Sequence, residues 1–167
     1  MSNVKLRFAA EADLPQINDI YNHYVSTSTC VWTTHLCTER ERKEWFKSHD
    51  AETPVLVAEQ DIKIVGWGAL SLFKTACMFY KTAENSVYVH HEFRRQGIGK
   101  KILSELVNCA QQADFLSVVA AISSDQIASV ALHRTAGFQE VGHLKKVGYK
   151  FNRHQDLLYL QLHLVNR

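Results

Sequence analysis

Apolar and polar positions along the chain follow two alternating periods. Val4–Phe8, Pro54–Glu59, Ile64–Phe73 and Thr82–Val89 are short runs of β-branched and aromatic residues that predict strands, with a turn over Gln60–Lys63. Leu116–Ile122 is almost continuously apolar, the mark of a strand covered on both faces. Phe138–Val147 and Asp156–Val165 predict two closing strands. The second alternates Leu158, Leu160, Leu162 and Leu164 with Tyr159, Gln161 and His163.

Between these runs the spacing is helical. Leu14, Ile17, Tyr21 and Tyr24 make one inward stripe, with Asp13 as the expected cap and Pro15 in the first turn. After a Ser/Thr-dense loop over Ser26–Cys37, Thr38 and Glu41 have capping-box spacing. They predict a second helix to about Ser48 that buries Trp45 and Phe46. Ile102, Leu103, Leu106, Val107 and Ala110 give a third helix to about Gln112. Asp125 is expected to cap a fourth, which ends at Gly137, a residue suited to a left-handed C′ position. The order β-α-α-β-β-β-α-β-α-β-β predicts an α+β fold. Its sheet is mixed and mostly antiparallel, with about seven strands, helices on both faces and a right-handed βαβ crossover at its centre.

Length predicts a single domain over 1–167, large enough to bury a core without disulfides. The 19 basic and 17 acidic residues leave a net charge of +2, too balanced for a nucleic-acid footprint. Cys30, Cys37, Cys77 and Cys109 form no C-x-x-C pair, so free thiols in a reducing cytoplasm are expected, without disulfides or a bound metal. Neither a signal peptide nor a membrane-length apolar stretch is visible. His90 and His91 read as solvated loop residues.

The chemistry concentrates in Val87–Leu106, where a strand runs through a glycine-bearing loop into a helix. Such a junction aims unpaired backbone N–H groups and the positive end of the helix dipole at one point, and favours an anion there. Arg94, Arg95, Lys100 and Lys101 add charge, and Gly97 and Gly99 allow close approach. This predicts a pyrophosphate cradle. A dinucleotide fingerprint needs glycine where Ile102 stands. A Walker loop needs glycine at Arg94, and Ser or Thr at Lys101. Both common nucleotide loops are excluded.

Arg94-x-x-Gly97-x-Gly99 after a Val-x-Val strand instead resembles the acetyl-CoA motif of the GNAT superfamily of N-acetyltransferases. Three further stretches strengthen the resemblance. Ala128–His133 with Gly137-Phe138 resembles the second GNAT motif. Glu84–Val89 resembles the T-x-E-x-S-V-Y-V segment of the phosphinothricin and methionine-sulfone branch. Val141–His143, Val147–Phe151 and Asp156 resemble the closing hairpin of that branch, and Thr27–Thr29 and Glu44–Phe46 its early segments.

The resemblance implies a GNAT fold with the fourth and fifth strands splayed into a cofactor cleft, acetyl-CoA as co-substrate, a small primary amine as acceptor, and a homodimer. It implies that Val87 and Val89 bind the pantetheine arm through their backbones, with Tyr88 between them facing the other way. The amides of Arg95, Gln96, Gly97, Ile98, Gly99 and Lys100 would hold the pyrophosphate beside Arg94. Gln126, where the family has Asn, Ser129 and His133 would complete the cofactor side. Glu84 falls on the general-base position, and a carboxylate there can take the proton an ammonium must lose before it attacks a thioester. His133 is placed either to protonate the departing thiolate or to pack neutrally on the cofactor.

Trp32, Tyr80, Thr82 and Glu84 are the expected acceptor contacts. Two arginines of the branch are replaced here by Ala76 and Tyr80, which removes a bidentate carboxylate fork. Lys74, Lys81 and Lys150 are the remaining candidates for the counter-charge. Trp32 and Thr33 stand where the branch has Phe and an acid. Other acceptors (a polyamine, an aminoglycoside, a protein N-terminus) and a non-catalytic acyl-CoA binder are the competing readings. No acidic run favours a polyamine, and a mere binder needs no base at Glu84.

Overall fold

A computed structural model describes residues 4–75 and 77–164. The elements are β1 (Lys5–Phe8), α1 (Leu14–Thr27), α2 (Glu39–Lys47), β2 (Val55–Gln60), β3 (Lys63–Leu72), β4 (Thr82–Val89), α3 (Ile98–Gln112), β5 (Ser117–Ser123), α4 (Ile127–Thr135), β6 (Gln139–Lys150) and β7 (Arg153–His163). They form one seven-stranded sheet in the order β1-β2-β3-β4-β5-β7-β6. Every neighbouring pair is antiparallel except β4 and β5, which are parallel across α3. The fold is α+β, and the element order is the one the periodicities predict.

The sheet is covered on both faces. On one, Ile17 and Tyr24 of α1 pack with Val57 and Trp67. On the other, Ile102, Leu103 and Leu106 of α3 pack with Val118, Leu160 and Phe138. Each such side chain, fully buried, stabilises the fold by about 1.5–3 kcal/mol. Helix α3 lies close on β3 because Gly68 presents no side chain. A Cβ there would stand 2.6 Å from Ile102 Cγ2 and 2.8 Å from the Ser86 carbonyl oxygen.

Local expectations fail where tertiary partners compete. Thr38 and Glu41 form the reciprocal capping box of α2, with Thr38 N donating to Glu41 Oε2 at 2.7 Å. Asp13 does not cap α1: its carboxylate is taken by Arg7, at 2.7 and 2.8 Å, and by the Ala10 amide. Asp125 does not cap α4 either, since it accepts from Thr29 Oγ1 at 2.6 Å and from Arg153 at 2.7 Å. Trp45 and Phe46 are only half-buried, and the buried residue of α2 is Arg42. Ser26 and Thr27 belong to α1, so the loop is shorter than expected. The closing hairpin is longer, because its turn sits at Phe151 and Asn152 (φ 53° and 58°) and the Gly148–Lys150 stretch pairs with Arg153–Gln155. Ala76 and Val165 lie outside the described residues.

Candidate active site

Strands β4 and β5 are paired only from Thr82–Glu84 to Ser117–Val119, and then part. His90 N and Thr82 O, just beyond and at the two ends of β4, bond to β3. The even-numbered residues between them therefore turn their backbone groups to β3, and Val87 and Val89 turn theirs toward the gap. Val89 O already accepts from Tyr24 OH at 2.5 Å. The gap opens into a cavity of about 290 Å³ between Glu84–Tyr88 and Ala120–Ser123. Of the residues expected at the site, Trp32, Glu84, Val87, Tyr88, Gln126, Ser129 and His133 line it. Tyr80 and Thr82 do not: Tyr80 stands 63% exposed on the preceding turn, and Thr82 pairs with Ser117.

Glu84 sits where the two strands part. Its carboxyl is half-buried, and burial alone pushes its pKa above the usual glutamate range. Tyr88 faces the other way from Val87, its ring tilted against that of Trp67 with centroids 4.6 Å apart, and burial pushes its phenol pKa upward. His133 is buried with both ring nitrogens engaged. Nδ1 lies 2.8 Å from the Ser129 carbonyl oxygen and Nε2 lies 2.9 Å from Asn85 Nδ2. A carbonyl only accepts, so Nδ1 carries the proton and Nε2 accepts from the Asn85 amide. Burial lowers the pKa of His133, in keeping with a neutral ring. Asn85 was not singled out from the sequence. Its Oδ1 is buried without a partner, beside the cavity.

At the far end of β4 the chain passes through a short 3₁₀ turn, His91–Phe93, into the loop before α3. His90 and His91 follow the strand, His91 exposed as expected and His90 partly buried, and their rings stack at 4.5 Å, with His91 on His23 at 4.0 Å. Gly97 takes φ +78° at the start of α3, and beyond its chain neighbours no atom of a described residue packs within 4 Å of the place a Cβ would occupy. Lys101 N is bonded back to Gly97 O, which leaves the amides of Ile98, Gly99 and Lys100 without intrahelical acceptors. Arg95, Gln96 and Lys100 are exposed around them. This open, amide-lined turn fits an anionic phosphate group. Arg94 is partly committed elsewhere, donating from Nε to Tyr24 OH at 3.0 Å.

The opposite wall is a loop stitched in from several elements. Lys150, 6% exposed, donates to the carbonyls of Ser28 and Val31, both at 2.7 Å. It is therefore spent on the loop and not free as a counter-charge. Trp32 Nε1 donates to Ser123 Oγ at 3.1 Å, and Ser123 Oγ donates to Thr29 O at 2.7 Å. Gln126 Nε2 donates to Thr29 Oγ1 at 2.7 Å, which occupies an amide expected to face the cofactor. Lys74 lies over the rings of Phe73 and Phe79, and Lys81 over Tyr80.

Residues 6–159 match the family model described as an acetyltransferase (GNAT) domain. The chain is 35% identical over 165 residues to the L-amino acid N-acyltransferase MnaT of Escherichia coli (strain K12), covering 98% of this chain and 96% of that one. It is 34% identical to the L-methionine sulfoximine/L-methionine sulfone acetyltransferase of Salmonella typhimurium, covering 95% and 94%. The crystal structure of a GNAT superfamily phosphinothricin acetyltransferase from Sinorhizobium meliloti in complex with acetyl-CoA superposes with a TM-score of 0.94 at 31% identity, covering 98% and 89%. The chain belongs to the GNAT acetyltransferase family. It is an N-acetyltransferase with acetyl-CoA as co-substrate.

Proposed function

We propose that the enzyme acetylates the primary amine of an amino acid or amino-acid analogue, with Glu84 as the general base. The observation that carries this reading is the place of Glu84: a half-buried carboxyl lining the cavity at the point where β4 leaves β5. A raised pKa makes it a stronger base than a solvated glutamate, as removal of a proton from an ammonium requires. The amine nitrogen then attacks the thioester carbonyl; the C–N bond forms, the nitrogen gives its second proton to solvent, the C–S bond breaks, and CoA leaves as a thiolate. Its proton comes from solvent, since His133 holds its one proton in the bond to Ser129. His133 thus serves as a scaffold for Asn85.

In this reading the backbones of Val87 and Val89 hold the pantetheine arm. The amides of Arg95–Lys100, with their neighbouring side-chain charges, hold the pyrophosphate. Ser129, with Gln126 turned partly toward Thr29, walls the cofactor, and Trp32 and Thr33 wall the acceptor. The relatives' printed substrates, L-amino acids and methionine sulfone, support an amino-acid acceptor. The enzyme is read as a cytoplasmic homodimer: Cys30, Cys37 and Cys109 are free thiols, and edge strand β6 exposes Val141, Leu144 and Val147. The test is thiol release from acetyl-CoA with a panel of amino acids, polyamines, an aminoglycoside and a peptide. Turnover confined to amino acids and their analogues supports the reading, and turnover confined to polyamines or peptides overturns it.

A further inference from the structure

A second cavity, of about 420 Å³, adjoins the first and shares Tyr21, Thr33, Ser86 and Tyr88 with it. Its walls include Trp45, Trp67 and Arg42. Arg42 is 4% exposed, yet it has no carboxylate partner among the described residues. Its guanidinium carbon lies 4.5 Å from the Tyr21 ring centroid, 4.6 Å from that of Trp45 and 5.5 Å from that of Trp67. Nε donates to Asn18 Oδ1 at 3.1 Å. Among the described residues the terminal nitrogens bond no oxygen or nitrogen, the Cys37 thiol being the side chain within weak bonding reach, and they are not among the sealed, unpartnered atoms. The guanidinium group lies over Tyr21, Trp45 and Trp67, which are walls of this cavity, so the fork faces it. The rest of the side chain borders a neighbouring cleft with Glu39 and Lys43.

Cation–π contact with aromatic faces offsets only part of the cost of burying a cation. Burial pushes the phenols of Tyr21 and Tyr88 above the usual tyrosine range, so neither supplies an anion beside the fork, and burial pushes the guanidinium pKa down. Glu41 also lines the cavity, but its carboxylate is turned to the Thr38 amide and hydroxyl. The missing anion is one that enters from solvent. A planar fork with parallel donors matches a carboxylate, held in two bonds.

Resting on the acetyl-transfer reading above, we propose that Arg42 receives the carboxylate of the acceptor, so that the amines this enzyme acetylates carry a carboxylate. The direction is consistent along β4. Glu84 and Ser86 point to the same face about 7 Å apart, and Ser86 belongs to both cavities. Ser71, paired with Glu84 in the sheet, lines the Arg42 cavity. The aromatic walls leave the rest of the acceptor in apolar surroundings. A single fork accommodates one anionic group and not two.

The experiment compares L-methionine sulfone and L-phenylalanine with their decarboxylated amines in the parent, Arg42→Met and Arg42→Lys. The parent should prefer the acids. In Arg42→Met the ratio of kcat/KM for acid over amine should fall about ten- to hundredfold, chiefly through KM for the acid. Arg42→Lys keeps the charge but loses the fork, and should fall in between. It also carries the test if Arg42→Met does not fold. An unchanged ratio in the variants, or a parent that prefers both decarboxylated amines, overturns the proposal. If the parent acetylates none of these, the amino-acid acceptor reading is what fails. Arg42 is then read by tryptophan fluorescence, since Trp45 and Trp67 flank it. A saturable change on titrating L-methionine sulfone, lost in Arg42→Lys, supports the carboxylate site, and no change overturns it.

Discussion

Asn85 Nδ2 lies 2.9 Å from His133 Nε2, so a buried amide on β4 and a buried imidazole on α4 are joined across the strand gap. The Ser129 carbonyl fixes the tautomer of the ring, and the bond to Nε2 leaves Oδ1 of Asn85 without a partner beside the cavity. In the proposed mechanism it makes His133 a positioning residue.

His133→Ala should therefore behave as a structural lesion. Losing a buried ring and stranding the Asn85 amide costs roughly 2–4 kcal/mol. Thermal unfolding should show a drop in Tm, and saturation kinetics a larger rise in KM for acetyl-CoA than fall in kcat. A kcat loss of about a hundredfold with unchanged Tm would point instead to proton transfer by the ring.

Gly97 holds φ +78° at the head of α3 with open space where a Cβ would go. The constraint is conformational, since a left-handed residue bearing a side chain costs about 1–2 kcal/mol. A β-branched residue is the poorest fit of all. Gly97→Val should relax the turn out of register with the amides of Ile98–Lys100 and remove acetyl-CoA binding. Calorimetric titration of acetyl-CoA in the absence of any amine reads this directly. Equal affinity in variant and parent would contradict the cradle.

Lys150 ties the wall of the cavity to the hairpin through the carbonyls of Ser28 and Val31. Hydrogen bonds from a charged donor are worth roughly 1.5–3 kcal/mol each. Lys150→Met keeps the length of the side chain but frees both carbonyls. It should lower Tm and raise KM for the acceptor while leaving acetyl-CoA affinity near that of the parent. A variant with parental Tm and acceptor KM would show that the loop holds without this tie.

The order of strands and helices was legible because each buried face has its own period, and the Leu-rich register of β7 survives in buried Leu158 and Leu160. Gly97 and the Val87–Val89 pair were legible because a strand–loop–helix junction has few geometric solutions. What sequence could not show depends on partners distant along the chain. Asp13 and Asp125 have the right residue type and spacing for caps, yet Arg7 and Thr29 claim them from other elements. Nothing in the sequence singles out Arg42, and Lys150 reads there as a candidate counter-charge for the acceptor. Only the packed aromatics around one and the loop carbonyls around the other reveal that both are buried. Asn85 lies inside a strand pattern where the eye is drawn to Glu84 beside it.

Phosphinothricin should be a poorer substrate than an amino acid with an uncharged tail. Tyr80 occupies one of the arginine positions of the branch, and it stands 63% exposed, off the cavity wall. A lost bidentate contact to a charged group is worth roughly 1.5–3 kcal/mol, or about ten- to a hundredfold in kcat/KM. Competition between phosphinothricin and L-methionine sulfone for limiting acetyl-CoA measures the ratio. Preference for phosphinothricin would mean that a second cation reaches the acceptor site.

Glu84→Gln tests the central claim most directly. Because burial raises the folded pKa of Glu84, the native state holds its proton more tightly than the unfolded chain does. Stability is then lost as pH rises from the ordinary glutamate range through the folded value, and the glutamine should spare that loss. Tm of Glu84→Gln at neutral pH should match or exceed that of the parent, so that any loss of activity is not a loss of fold. The decisive measurement is kcat at saturating acetyl-CoA and amine across neutral to alkaline pH. The account predicts a fall of about 10²–10⁴-fold at neutral pH, partly recovered at high pH where the amine is already neutral, with acetyl-CoA affinity unchanged. A parental kcat at neutral pH would contradict it.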